Sequence, residues 1–273
     1  AKGSKLRLVL DLRHVNKYIK HHKFKYEDLR TFSEMFSEGD YFTTFDLKSG
    51  YHHIDIHPEH RKYFGFQVKF TNGSTRNFLF NVLAFGLSEA CYLFTKVMRP
   101  FIKRWRGFGI KSIIYIDDGI NGKSSYLEAK AACKLVISDL EKAGFVINKQ
   151  KSKLVPMQRG LWLGIIINTS NMTFYVPEEK CVKLLNKINS ILNQALCSAK
   201  QLAKVAGYIS AMNLAIGPMV RLFTRNLYRQ IDARNSWHDA MLLYPESKNE
   251  LVFWRDNLND LNGYSFKPNP VTT

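Results

Sequence analysis

Three carboxylates pose the first chemical question. Asp46 closes an apolar, β-branched run, Phe42-Thr43-Thr44-Phe45, and Asp117-Asp118 close another, Ile113-Ile114-Tyr115-Ile116. Neighbouring residues on a flat strand face opposite sides, whereas at the tip of a hairpin both can reach one site. Asp118-Gly119 is also a good turn by itself, so the pair alone leaves a plain turn open. Three acids on neighbouring strands repel one another and raise each other's pKa unless cations lie between them. Their oxygens suit hard divalent ions. Two such ions about 3.5–4 Å apart activate an attacking oxygen and stabilise a leaving phosphate oxygen. On a basic chain that chemistry is phosphoryl transfer on a polynucleotide, by a polymerase or a nuclease. No Walker A loop, HExxH, Gly-x-Ser-x-Gly or GxGxxG motif competes.

The elements that must position these acids follow from pattern. Residues 6–11 and 42–46 read as strands, and 63–70 and 76–80 flank an Asn72-Gly73 turn, a strong hairpin signal. Ser88 is the expected cap of a helix running to about Arg106, where Gly107 and Gly109 stop it. Residues 112–116 form a strand leading into Asp117-Asp118-Gly119, Ser125 caps a helix ending at Gly144, and 161–168 form one further strand. Beyond Pro177 apolar residues recur at helical spacing. Ser198 with Gln201 and Ser247 with Glu250 fit the capping box, and Gly217-Pro218 separates two helices. The texture changes near 170–178, so an α+β domain is expected over 1–172, a helical one over 173–262 and a linker over 263–273.

Charge supplies the partner class. The 273 residues carry 40 Lys and Arg against 23 Asp and Glu, a net +17. Nucleic acid is the usual polyanion that neutralises such a chain. Residues 1–30 hold nine Lys or Arg against three acids, and no acid lies between Glu89 and Asp117, Glu141 and Glu178, or Glu179 and Asp232. Such long acid-free stretches suit a surface laid along phosphates. With 45% hydrophobic and 23% charged residues the chain is globular, not disordered. No apolar run is long enough for a membrane span, so no membrane partner is expected. The four cysteines form no CxxC pair, which argues for reduced thiols in a cytoplasmic or nuclear protein.

The motifs, in order, resemble those of a retroelement reverse transcriptase. KLRLVLDLRHVNKYI (5–19) is similar to the fingers motif, and FDLKSGYHHIDIHPEHRKYFGF (45–66) to the palm motif with the first catalytic Asp. FNVLAFGLSEACYLFTKVM (80–98) resembles the nucleotide-pocket motif, and YIDD (115–118) the Tyr-x-Asp-Asp box. AGFVINKQKS (143–152) resembles the motif that follows, and LWLGIIIN (161–168) the primer grip. Phe85 before Gly86, Ala84 where Pro is usual, and Glu89-Ala90-Cys91 where Asn-Ala-Pro is usual place the resemblance nearest to gypsy-like and DIRS-like retrotransposons.

That resemblance implies a right-hand polymerase: an antiparallel palm sheet backed by helices, with partial fingers, then an all-helical thumb. Asp46, Asp117 and Asp118 match the catalytic metal triad, with the Leu47 carbonyl as a further ligand and Asp118 the least direct one. The implied cofactor is a pair of Mg²⁺ ions, with Mn²⁺ as a substitute. Arg7, Ser49, Gly50, Tyr51, Phe85 and Lys151 match the dNTP site. Arg7 would hold the triphosphate, and Lys151 would protonate the leaving pyrophosphate. Tyr51, five residues after Asp46, would be the steric gate whose ring excludes a ribose 2′-OH. Lys2 is the nearest match to the fingers lysine. Arg13, Asn16, Tyr115, Trp162, Leu163 and Gly164 match template and primer contacts. Arg221, Arg225 and Arg229, spaced i, i+4, i+8, would track the duplex from one thumb face. His21-His22, His52-His53 and His57 with His60 lack a second ligand set and read as solvated or template-facing rather than zinc-binding.

The implied partners are an RNA or DNA template with a DNA primer, dNTPs, and the missing polyprotein domains, an RNase H and a possible recombinase. The expected activity is RNA-directed DNA polymerisation by a polyprotein fragment. An RNA-dependent RNA polymerase, which usually carries Gly-Asp-Asp and no bulky gate, and a silent template-binding relic are the rival readings.

Overall fold

A computed structural model of the chain describes residues 8–266. They fall into two compact units, one comprising the chain up to Phe36 with Tyr41–Met157, the other Ser37–Asp40 with the chain from Gln158 onward. The expected domain boundary at 172/173 lies inside the second unit.

The first unit contains α1 (Arg13–Asn16), α2 (Leu29–Met35), β1 (Tyr41–Asp46), β2 (Gly65–Lys69), β3 (Thr75–Leu79), α3 (Ala90–Gly107), β4 (Lys111–Tyr115), β5 (Asp118–Lys123), α4 (Tyr126–Lys142) and β6 (Lys153–Met157). Its sheet is antiparallel in the order β4-β5-β1-β6. Phe42 to Phe45 of β1 are buried without alternation, as befits a strand covered on both faces. α3 supplies one cover through Phe94, Met98, Ile102 and Trp105, spaced three or four apart. α4 supplies more through Ala129, Ala132, Cys133, Val136 and Leu140. Ser125 caps α4 as expected, its hydroxyl accepting from Glu128 N at 3.3 Å. The Phe45 ring lies so close over Gly119 that no Cβ could fit there.

The β2–β3 hairpin stands on its own as a two-stranded ribbon, with Asn72 Oδ1 accepting from Ser74 N at 3.0 Å and Gly73 at φ +81° in the turn. Two expectations fail nearby. Residues 8–12 form no strand: Leu10 N donates to Phe85 O at 3.0 Å, but no ladder continues. Ser88 does not cap α3. Its N–H donates to Asn16 Oδ1 at 3.0 Å, and the helix starts after Glu89.

The second unit contains β7 (Arg159–Trp162), β8 (Ile165–Asn168), β9 (Thr173–Tyr175), α5 (Glu178–Leu192), β10 (Cys197–Ser198), α6 (Ala199–Ala211), α7 (Asn213–Ile216), α8 (Met219–Leu222), α9 (Arg225–Asp232), β11 (Ala240–Met241), α10 (Pro245–Asn257) and β12 (Tyr264–Ser265). The single strand expected over 161–168 is a hairpin instead. Trp162 pairs with Ile165 across Leu163 (φ +47°) and Gly164 (φ +77°), the left-handed pair that a two-residue turn demands. β7, β8 and β9 are joined by β12, so Tyr264–Ser265 is an edge strand where a linker was expected. From Glu178 to Asn257 the chain is built of helices joined by loops, apart from the short β10–β11 pair. Ser198 and Gln201 form the expected capping box on α6. Ser247 and Glu250 do not, because Pro245 starts α10 earlier and carries both inside it. Among the described residues no helix is long and apolar enough to cross a membrane.

Candidate active site

β1 and β5 run side by side with Asp46 opposite Asp118, and Tyr115 pairs with Asp118 across the β4–β5 turn. The turn is therefore Ile116-Asp117, not Asp118-Gly119. Ile116 sits at φ +53°, where a β-branched side chain is strained by about 1–3 kcal/mol. The turn carries Asp117 out of the ladder, and its side chain lines the same cavity as Asp46. Gly50 makes room for it: a Cβ there would stand 2.5 Å from Asp117 Oδ1 and 3.0 Å from the Phe94 ring.

Asp46 is held by the loop before β6. Asn148 Nδ2 donates to its Oδ1 at 2.7 Å and Lys151 Nζ to its Oδ2 at 3.2 Å. Its backbone N–H donates to Ser152 Oγ at 3.0 Å, and its carbonyl accepts from Asn148 N at 2.8 Å. Asn148 and Ser152 lie in the motif around Lys151, but no local pattern there marks them as supports of Asp46. Asp118 is raised above the ordinary carboxyl range, first by burial and then by the charge of Asp46, with Lys151 opposing.

A cavity of about 160 Å³ opens at this point, lined by Asp46, Leu47, Lys48, Ser49, Phe85, Asp117, Asn148 and Lys151 together with Leu8 and His52. Among the described residues no three His, Cys, Asp or Glu side chains converge as a metal site. Asp46 and Asp117 share the cavity, while Asp118 lies against Asp46 outside its lining. The donors still fit a divalent ion: they are hard oxygens, and the mutual charge of Asp46 and Asp118 is offset only in part by one ammonium.

Ser49, itself left-handed at φ +58°, opens the 3₁₀ turn Gly50–His53 that carries Tyr51. The Tyr51 ring is buried, with ring centres 5.2 Å from Phe85 and 5.6 Å from Phe94. Its hydroxyl lies 2.8 Å from Cys91 Sγ, and burial followed by this contact pushes the phenol above its ordinary range. His53 is structural: Nε2 accepts from Val146 N at 3.2 Å, which leaves Nδ1 to donate to Gly50 O at 3.3 Å. His21 and His22 both grip the buried carboxylate of Glu89.

The remaining expected residues are spread more widely. Arg7 and Lys2 lie outside the described residues. Arg13 is exposed and paired with Asp11 at 2.7 Å. Asn16 uses its amide to pin the loop after Phe85, donating to Gly86 O at 2.9 Å and accepting from Ser88 N. Tyr115 packs on Tyr26, ring centres 4.8 Å apart. In the second unit Trp162 is buried, and Leu163 and Gly164 form the hairpin turn, where Lys180 Nζ donates to Gly164 O at 2.7 Å. Arg225 and Arg229 share α9, but Arg221 belongs to α8. The helix breaks at Phe223-Thr224, so the three do not form one continuous stripe.

An antiparallel sheet with acids at one hairpin and one strand end, backed by two long helices, is the architecture of a right-hand polymerase. The family model for reverse transcriptase (RNA-dependent DNA polymerase) matches residues 1–167, and the chain belongs to that family. It is 31% identical over 147 residues to the genome polyprotein of Petunia vein clearing virus, a match covering 54% of this chain and 6% of that one. It is 23% identical to the enzymatic polyprotein of Cestrum yellow leaf curling virus, covering 87% and 35%. To the retrovirus-related Pol polyprotein from transposon opus of Drosophila melanogaster it is 25% identical, covering 84% and 22%. The chain thus spans about a third or less of these relatives. In fold it is similar to a foamy viral protease-reverse transcriptase in complex with double-stranded DNA (TM-score 0.77, 20% identity, 97% of this chain and 43% of that one). The foamy viral enzyme with RNA/DNA hybrid is similar at TM-score 0.71, with 20% identity, 92% of this chain and 31% of that one.

Proposed function

We propose that this chain is an RNA-directed DNA polymerase module that extends a primer 3′-OH with dNTPs on an RNA or DNA template. The observation that carries this is the shared cavity of Asp46 and Asp117, brought together from two neighbouring parts of one sheet with Phe85 and Lys151 on its rim. Asp46, Asp117, Asp118 and the Leu47 carbonyl would hold two divalent ions, Mg²⁺ or Mn²⁺ in its place, which when bound supply activation of the attacking oxygen and neutralisation of the leaving one. The chain's own residues do the rest by positioning. Asn148 and Ser152 fix Asp46. The strained turn and Gly50 fix Asp117. Lys151 keeps an ammonium beside the site, where it can give a proton to pyrophosphate. Tyr51, wedged between Phe85 and Phe94, stands as the gate beneath the sugar. Arg225 and Arg229 offer charge to the duplex backbone.

Primer extension on poly(rA)/oligo(dT) with Mg²⁺ and dTTP tests the reading. Asp117→Asn should abolish extension while primer–template binding is retained or strengthened, because one repelling charge is gone. Extension by Asp117→Asn at the wild-type rate would overturn it.

A further inference from the structure

We propose that Cys91 is a positioning residue for the Tyr51 ring, and thereby for the choice between deoxyribose and ribose; this rests on the reading of Tyr51 as the gate. A gate that works by packing must be rigid on the scale of one oxygen atom. Phe85 and Phe94 confine the Tyr51 ring between flat surfaces, and flat surfaces let a ring slide and tilt. Its polar tip needs a partner because it is buried. That partner is the Cys91 thiol at 2.8 Å.

The thiol is itself held firmly. Cys91 lies in the first turn of α3, where its carbonyl accepts from Thr95 Oγ1 at 2.8 Å. The helix start is anchored through Glu89, which accepts from His22 Nδ1 at 3.0 Å and His22 N at 3.2 Å. Tyr26 lies beside Cys91 as well, and its ring packs on Tyr115, the residue that opens the turn bearing Asp117. The Cys91 thiol therefore sits between the gate and the Tyr26–Tyr115 pair beside the turn that carries Asp117. A thiol is a weak and polarisable partner, so the hold it gives is tuned rather than absolute.

The test uses the whole chain and two readouts. The first is the ratio of kcat/KM for dNTP over rNTP. Cys91→Ala and Tyr51→Phe should each relax it by about three- to tenfold, the scale of one hydrogen bond. The double variant should relax it no further than either alone, and Cys91→Ser should restore most of it. The second readout needs no activity. Cys133, Cys181 and Cys197 are buried and Cys91 is the partly exposed thiol, so a disulfide reagent such as DTNB should report one fast thiol, absent in Cys91→Ala and several times faster in Tyr51→Phe. If Tyr51→Ala shifts the sugar ratio and Cys91→Ala does not, the Cys91 proposal falls while the gate stands. If Tyr51→Ala leaves the ratio unmoved, both fall. A fast thiol indifferent to Tyr51→Phe also overturns the proposal.

Discussion

At the scale of single residues the site depends on what is missing as much as on what is present. Gly50 has no side chain, and Asp117 Oδ1 uses that space. Gly50→Ala should therefore leave the fold intact and push Asp117 away from Asp46, lowering kcat for extension about 100-fold or more, on the scale at which a misplaced catalytic group loses rate. Circular dichroism would confirm the fold and single-turnover extension would measure the loss; a near-wild-type rate would show that Asp117 has another rotamer to use. Asn148→Ala removes the 2.7 Å bond to Asp46 but leaves Lys151 in place. It should raise the Mg²⁺ concentration for half-maximal extension several-fold, a few tenfold at most, as loss of a group supporting a metal ligand does. An unchanged Mg²⁺ requirement would remove Asn148 from the site.

At the scale of elements, contacts at helix ends decide how the pieces are held. Glu250, buried in α10, accepts from Asn226 N and Leu227 N at 2.9 Å each and so caps the start of α9 from another helix. Glu250→Ala leaves two donors at the N-terminus of α9 unmet and should cost about 2–3 kcal/mol. Denaturant unfolding followed by tryptophan fluorescence would read it, since Trp254 lies in the same helix. Glu89 closes the start of α3 in a different way. Burial alone would raise its carboxyl, but the His22 side chain and backbone and the His21 side chain outweigh burial and hold it below its ordinary 4.5. A carboxyl with a depressed folded pKa stabilises above 4.5 and loses that contribution as pH falls through the folded value. Exchange of the His22 amide, which donates to Glu89, should thus lose its protection only below pH 4.5, and in Glu89→Gln it should be weakly protected already at neutral pH.

Much of this was legible in the residues. The Asn72-Gly73 hairpin, the Ser125 cap and the Ser198–Gln201 box are local chemistry, and a local pattern suffices to see them. Ser88 looked like a cap because the pattern cannot reveal that Asn16, far back in the chain, takes its N–H. The 161–168 run reads as one strand because apolar residues stand on both sides of Gly164, and only the positive φ of Leu163 and Gly164 together turns them into a hairpin. The nearness of Asp46 and Asp117 was legible, but the placing of Asp118 outside their cavity was not, because it depends on the Ile116-Asp117 turn. Nor was the support of Asp46 by Asn148 and Ser152, since it depends on which loop meets β1.

At the scale of the whole molecule, charge is the dominant quantity. On the proposed reading, a net +17 with long acid-free stretches should give several phosphate contacts. Each contributes about −0.9 to the slope of log K against log salt on duplex DNA. Arg225→Ala with Arg229→Ala should make that slope shallower by about 2 if both meet phosphate, and a filter-binding titration at four salt concentrations would measure it. An unaltered slope would move the duplex contact to other residues of the second unit.

Phe45 and Gly119 face each other across β1 and β5, and the ring occupies the volume a side chain at 119 would need. The two positions therefore share one allotment of space. Gly119→Ala alone should unfold or misregister the sheet beside Asp46 and Asp118, and Phe45→Leu should rescue it in part. Through descent the pair is expected to drift jointly, a larger residue at 119 appearing only in lineages where 45 has already become smaller. The acids next to them can then stay fixed while their neighbours trade volume.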